Sequence, residues 1–317
     1  MKSSLHAGGS GWWAPLIAVA ALAAFPPAAS AFGQEYYVGL ATRILIFGIA
    51  ATSLNLLVGY GGMVSFGHAA FFGTGAYAVA ALMSQGIASM WIAWPVAMAA
   101  SGLLAVAIGA ASLRTRGVYF IMITLAFAQM VFYLVVSLKA LGGDDGMALA
   151  GRATAGFGLS LASDSAFYYM VLALAAAMLY AMRRAIDARF GRALQGIREN
   201  ESRMEAIGFP VMRLKLAAFA IAGAVAGLAG ALNANLNGRA GPVLLDWPQS
   251  GSLLVMVILG GVGRRYGGFI GAAVLLAMEE LLSPYWAHWQ LLLGVLLLVV
   301  VLRAPQGLAG LLARRGA

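Results

Sequence analysis

The sequence predicts an all-α integral membrane protein with about ten transmembrane helices, and three observations carry that prediction. Of 317 residues, 62% are hydrophobic and 10% charged, which is too apolar for a soluble domain of this length. Ten apolar runs reach or approach the ~20 residues a helix needs to cross a bilayer. The basic residues between those runs fall almost entirely on one side, as membrane topology demands.

The runs cover 12–31, 38–58, 63–84, 91–113, 117–138, 166–183, 214–236, 249–263, 268–283 and 288–303. With the N-terminus inside, the inner loops hold Lys2, Arg114, Arg116, eight Lys/Arg of 183–215, Arg264, Arg265, Arg303, Arg314 and Arg315, sixteen in all. The outer loops hold Lys139, Arg152 and Arg239. Arg43 sits near the outer end of the second run, where its long side chain can snorkel to water. The chain is therefore expected to form one transmembrane domain, residues 1–317, with both termini cytoplasmic. The first run also has features of a signal peptide, since Lys2 precedes it and Ala29-Ser30-Ala31 resembles a cleavage site. Pro26-Pro27 could end it instead. The eighth and ninth runs are short enough to form a re-entrant pair.

A net charge of +9 would suggest nucleic acid in a soluble protein. Here it belongs to loops between oily runs, so the expected surface is membrane lipid and not nucleic acid. There is no cysteine, and His6, His68 and His288 are scattered, so no metal site is expected. No catalytic constellation is present, and the chain is read as a transport subunit, not an enzyme. The stretch LGGVGRRYGGFIGA at 259–272 is no P-loop, because no Gly-Lys-Ser/Thr follows its glycines. Nor is it a dinucleotide fingerprint, since it lacks a βαβ setting.

Several stretches carry the functional reading. The third run is punctuated by Gly59, Gly61, Gly62, Gly67, Gly73 and Gly75, with Asn55, Ser65 and His68 among them. Small residues of this kind allow close helix packing. They also suit a broken helix whose freed backbone lines a cavity. Asn55, Ser65, Gly67 and His68 are the candidate pathway residues. The cytoplasmic loop of about 184–213 is the longest charged segment, with eight basic and four acidic residues between Arg183 and Lys215. Phe190, Leu194, Ile197, Met204 and Ile207 recur at helical spacing and are expected on one face. Gly208-Phe209-Pro210 ends that helix. Such a helix either lies on lipid with its arginines, Arg198 and Arg203 included, on phosphates, or docks on a soluble partner.

The outer loop, about 139–165, carries Gly142-Gly143-Asp144-Asp145-Gly146, a turn or a weak cation site, the turn being favoured. In the seventh run Gly223 and Gly227 form a GxxxG pair. Asn233, Asn235 and Asn237 at its outer end are expected to cap or unwind it, not to share a face. Glu279 and Glu280, near the outer end of the ninth run, are intramembrane acids and so functional candidates. Near an interface they equally well snorkel.

These stretches resemble one family. The runs ALQGIRENESRMEAIGFPVMRLKLAAFAIAGAVAGLAGAL (193–232), SLNLLVGYGGMVSFGHAAFFGTGAYAVA (53–80), LRTRGVYFIMITLAFAQMV (113–131), the GGDDG loop and the 259–272 stretch are similar, in order, to the branched-chain amino-acid permeases of ABC importers, LivH/LivM type, and to the LivM branch in particular. The resemblance implies a type II importer fold of ten helices with a cytoplasmic coupling helix. Glu205, Ala206, Ile207 and Gly208 match the coupling motif, with Phe190, Leu194 and Ile197 as its apolar anchors. It implies partners: a second, LivH-type permease, two cytoplasmic ATPase subunits and a periplasmic substrate-binding protein in a bacterial inner membrane. ATP would be used by the partners, and no cofactor would be bound by this chain. The implied cargo is leucine, isoleucine or valine. Urea, amide and other amino-acid permeases share the motifs, and an ion-coupled secondary transporter is the competing class.

Overall fold

A computed structural model describes residues 20–31, 33–154, 156, 161–286, 288–304 and 306–310. In chain order its helices are α1 (Phe25–Ala31), α2 (Tyr36–Asn55), α3 (His68–Ser84), α4 (Met90–Ser112), α5 (Val118–Ser137), α6 (Asp164–Asp187), α7 (Arg189–Glu199), α8 (Glu201–Ala206), α9 (Val211–Asn237), α10 (Trp247–Gly260), α11 (Gly267–Leu282) and α12 (Trp289–Arg303). A π turn, Leu56–Tyr60, prolongs α2. Two short antiparallel strands, β1 (Met147–Ala148) and β2 (Arg239–Ala240), tie the outer loops together, with Met147 opposite Ala240.

Five of the helical stretches are long and apolar enough to cross a membrane: Tyr36–Tyr60, Met90–Ser112, Val118–Ser137, Asp164–Asp187 and Val211–Asn237. Helix α2 with its π turn and helix α9 form the centre and are largely buried. That explains why they are oily on every face and not on one stripe. Helices α4, α5, α6 and α12 stand around them and expose large apolar side chains such as Trp91, Tyr119, Met130, Tyr180 and Leu302. In water that surface would be costly, while in hydrocarbon it is the expected one.

The centre is tight because its glycines are contact points. A Cβ at Gly75 on α3 would run into the Gly227 backbone on α9, and one at Gly230 would meet the Phe72 carbonyl. Close backbone approach of this kind supplies dispersion contact where lipid removes the hydrophobic drive for helix association. The Ser101 hydroxyl on α4 adds a hydrogen bond to the Phe71 carbonyl at 2.9 Å.

Several sequence expectations change. The third run does not start at residue 63, because Gly61–Gly67 is non-helical and α3 begins at His68. Pro26 and Pro27 do not end the first run. They lie inside the apolar helical stretch Ala20–Ala31, and the Leu22 and Ala23 carbonyls that they leave free accept from the Tyr168 and Tyr169 hydroxyls at 2.8 and 3.0 Å. Residues 12–19 of that run, and most of a signal sequence, fall outside the described residues. Asn233, Asn235 and Asn237 do not unwind α9, which runs on to Asn237 and stops at Gly238. As expected of a helix, the three do not share one face: Asn237 Nδ2 donates to Asn233 Oδ1 at 3.2 Å. Asn235 meanwhile accepts from the Ala153 N–H at 2.7 Å and so holds the outer loop. The GGDDG segment is a tight turn, Gly143–Asp145, preceded by another at Lys139–Leu141. Arg43 and Glu279 do not snorkel separately but pair at 3.2 Å, and Tyr36 donates to Glu280 at 2.6 Å, locking α2 to α11.

Candidate functional site

The break between α2 and α3 frees backbone groups that must find partners, since bare N–H groups are costly in a membrane. They find them inside the protein. Met63 N–H donates to the Leu57 carbonyl at 2.9 Å. Phe66 N–H reaches Thr124 Oγ1 on α5 at 3.2 Å, and Gly67 N–H reaches Ser65 Oγ at 3.1 Å. Ala69 N–H, in the first turn of α3, is capped by Ser250 Oγ of α10 at 2.8 Å. Two helices and the break itself thus contribute hydroxyls to one short stretch of backbone.

His68 sits beside them, wholly buried, with Nε2 3.0 Å from Ser53 Oγ on α2. The Ser53 hydroxyl donates its one proton to the Ala50 carbonyl at 2.7 Å. Nε2 therefore carries the imidazole proton and donates, which leaves Nδ1 as a buried acceptor without a partner. Ser65, Gly67 and His68 come together as the sequence suggested, joined by Ser53, Thr124 and Ser250. In this conformation they are packed and do not line an open cavity.

Asn55 belongs elsewhere. Two residues beyond Ser53, it points to the other side of α2, because each residue turns a helix by about 100°. Its Oδ1 accepts from Gly263 N–H and its Nδ2 donates to the Arg264 carbonyl, each at 2.8 Å. It therefore fastens the α10–α11 turn to the end of α2. With Thr52, Tyr60, Tyr180, Arg183 and Arg265 it borders a cavity of about 300 Å³ between α2 and α6.

The charged segment of about 184–213 is two helices, not one. Asn200 is extended (φ −156°) and caps α8, its Oδ1 accepting from Arg203 N–H at 2.9 Å. The interruption rotates everything after it, so Phe190, Leu194, Ile197, Met204 and Ile207 do not share a face. Leu194 is 0% and Ile197 3% exposed, both packed on the chain's own core, while Phe190 is half-buried against it. These three seat α7 on the membrane helices and are not free to anchor a partner. Glu205, Ala206 and Ile207 are exposed, Ile207 by 62%. Gly208 has φ +87° with nothing near its missing Cβ, so it is backbone geometry that selects glycine there. Gly208 N–H and Phe209 N–H close the helix end on the Glu205 and Met204 carbonyls at 2.9 and 3.0 Å. Phe209 and Met212 extend the exposed apolar tip.

Charges hold the segment in place. Glu201 takes Lys215 at 2.6 Å and Arg116 at 3.5 Å, joining α8 to α9 and to the α4–α5 loop. Asp187 takes Arg265 at 2.7 Å. Arg198 does not face outward, as the lipid-surface alternative would have it: it turns inward and donates to the Gly59 carbonyl. A second cavity, about 220 Å³, opens between this segment and the break, lined in part by Gly62, Val64, Arg116, Arg198, Glu201 and Lys215.

A family model described as branched-chain amino acid transport system / permease component matches residues 36–302. The chain belongs to this permease family. It is 30% identical over 295 residues to a Salmonella typhimurium protein named high-affinity branched-chain amino acid transport system permease protein LivM, covering 86% of this chain and 69% of that one. The Escherichia coli protein of the same name is 31% identical over 298 residues, with the same coverage. A Methanocaldococcus jannaschii protein, named as a probable LivM permease, is 30% identical over 161 residues, 45% of this chain and 46% of the relative. No solved structure matches the chain significantly.

The matched range takes in both the break and the charged segment, so the geometry described above belongs to the permease module itself. This permease is a multi-pass membrane protein. Sequence reasoning missed Ser53, Thr124, Ser250, Glu201 and Lys215. Ser53, Thr124 and Ser250 carried a usable signal, being hydroxyls inside apolar runs. Which of them meet in space depends on tertiary packing. The Glu201–Lys215 pair lies fourteen residues apart across a helix break, which no helical spacing rule connects.

Proposed function

We propose that this permease forms half of the translocation pathway of an ATP-driven importer for leucine, isoleucine and valine. The observation that carries the reading is the family match together with the exposed tip, Glu205 to Met212, held rigidly against the membrane helices. The relatives' names supply the substrate class. A rigid segment with a small apolar and acidic tip suits docking on a soluble subunit. The reading comprises a second, LivH-type permease, two cytoplasmic ATPases that bind and spend ATP, and a periplasmic substrate-binding protein. This chain itself does no catalysis. It crosses a bacterial inner membrane ten times as a type II importer subunit, both termini inside, its two halves of five crossings able to form an inverted repeat.

The secondary-transport reading is disfavoured by the acids of α11. Glu279 is bonded to Arg43 and Glu280 to Tyr36, near one end of the helix, which leaves neither free at the midplane to carry a coupling ion.

Gentle purification from native membranes tests the reading, because ATPase chains should come away with the permease. Vesicle uptake of labelled leucine should require ATP and the binding protein, and excess isoleucine or valine should suppress it while urea does not. Suppression by urea alone would move the substrate class. Uptake driven by a proton or sodium gradient without ATPases would end the importer reading. Orientation is tested in a chain without cysteine: Ala148→Cys should label from outside and Ser202→Cys from inside.

A further inference from the structure

We propose that Arg198 is the positioning residue through which movement of the coupling segment reaches the break in the membrane helix; the proposal rests on the importer reading above. Arg198 lies in the last turn of α7. Its stem runs along the break so closely that a Cβ on Gly62 would lie 2.9 Å from Arg198 Cγ. Its guanidinium donates to the Gly59 carbonyl in the π turn. That carbonyl is among the last of a long helix, where intrahelical donors run out and the helix dipole favours a cation.

The same carbonyl lies at a junction. A Cβ at Gly263 would be 3.2 Å from Gly59 O and 3.6 Å from Arg198 Nη1. Asn55 holds Gly263 and Arg264 from the other side. Three elements therefore meet at Gly59: the coupling helix, the end of α2 and the α10–α11 turn. The π turn is the compliant member, since it amounts to one residue inserted into a helix and has an alternative α arrangement close by. From Gly61 the chain passes directly through the break to His68. A shift of α7 thus acts on a hinge a few residues from the buried polar cluster, and Arg198 is its charged link. A guanidinium suits this role because its fork holds a carbonyl while its stem packs, a geometry an ammonium does not reproduce.

The experiment uses the whole importer in vesicles, with Arg198→Ala and Arg198→Lys made in the wild-type background and again with Val64→Cys. Val64 is half-buried in the break, so its thiol labelling reports the hinge with and without ATP. Wild type should label differently in the two states. Arg198→Ala should lose uptake and binding-protein-stimulated hydrolysis by roughly tenfold or more, the scale of one charge-assisted hydrogen bond. It should keep basal hydrolysis and assembly within about twofold, and its labelling should no longer depend on ATP. Arg198→Lys should recover part of each. Retained uptake with ATP-dependent labelling in Arg198→Ala would overturn the proposal. So would a parallel loss of assembly and basal hydrolysis, which would make Arg198 a folding support. A wild-type complex without ATP-driven uptake would overturn the importer reading itself, a result visible before any variant is compared.

Discussion

The two functional regions solve the same problem in opposite ways. The break between α2 and α3 lies among membrane helices, and the N–H groups of Met63, Phe66, Gly67 and Ala69 find a neutral carbonyl or hydroxyl inside the protein. The charged segment of about 184–213 is held by ion pairs of Glu201 and Asp187 at its base and leaves its tip bare. Inside hydrocarbon a charge is expensive and an unsatisfied dipole nearly so, which favours short neutral bonds. At the aqueous face charges are cheap and reversible, which suits a part that must move against a partner. Among the described residues several buried polar atoms have no partner, and Nδ1 of His68 is the one that sits in this cluster.

The comparison can be broken at Asn55. Asn55→Leu strips the Gly263 N–H and the Arg264 carbonyl of their partners together, at roughly 1–3 kcal/mol each. Purified protein should melt at clearly lower temperature, and unchanged melting would mean that water replaces the amide and that the region is not dry. His68→Leu should behave differently. It loses one hydrogen bond but also removes the unpartnered Nδ1, so melting should move little while uptake falls about tenfold, some 1.4 kcal/mol of barrier. Loss of assembly in that variant would mark His68 as a packing residue only.

Gly208→Val probes the tip. With φ +87° and open space around it, the penalty is backbone strain of about 1–2 kcal/mol and not a clash. Stimulated hydrolysis and uptake should drop about fivefold together (~1 kcal/mol) while the membrane helices still assemble. Normal coupling in Gly208→Val would remove the tip from the docking surface. The smallest effect is expected at the exposed Arg203, where Arg203→Ala should change stability by less than about 0.5 kcal/mol and leave uptake intact. A loss in Arg203→Ala that appears only with anionic lipid would show that the segment rests on the membrane, and the contrast between a dry core and a partner-facing tip would need redrawing.

Much of the fold was legible because hydropathy and loop charge are local properties. Most of the apolar runs became helices where the structure describes them, five helical stretches being long and apolar enough to cross a membrane, and the glycines of 223–230 became close contacts with α3 and α4. The cluster of Ser65, Gly67 and His68 was legible as a glycine-broken run containing polar residues. What the sequence hid is three-dimensional. Periodicity joined Phe190 to Ile207 because Asn200, one polar residue among many, gives no sign that its backbone is extended and that a new helix starts there. Asn55 was grouped with His68 by proximity in sequence, although helical rotation sends the two to different neighbours. Arg198 read as a surface cation because nothing in the sequence reveals that a helix end elsewhere offers a carbonyl.

Helix α10 has fourteen residues and α11 sixteen, about 21 and 24 Å at 1.5 Å per residue. The hydrocarbon of a typical bilayer is about 30 Å thick. A hairpin this short cannot meet both water layers unless the bilayer thins around it or the surrounding helices hold a wet recess over one of its ends. Arg265, at its turn, is already paired with Asp187 at the base of the charged 184–213 segment, so the missing length lies at the opposite end of the hairpin. The barrier a solute must cross beside α10 would then be several ångströms shallower than elsewhere around the protein, and the membrane's own profile, not only side chains, would shape where a polar cargo crosses.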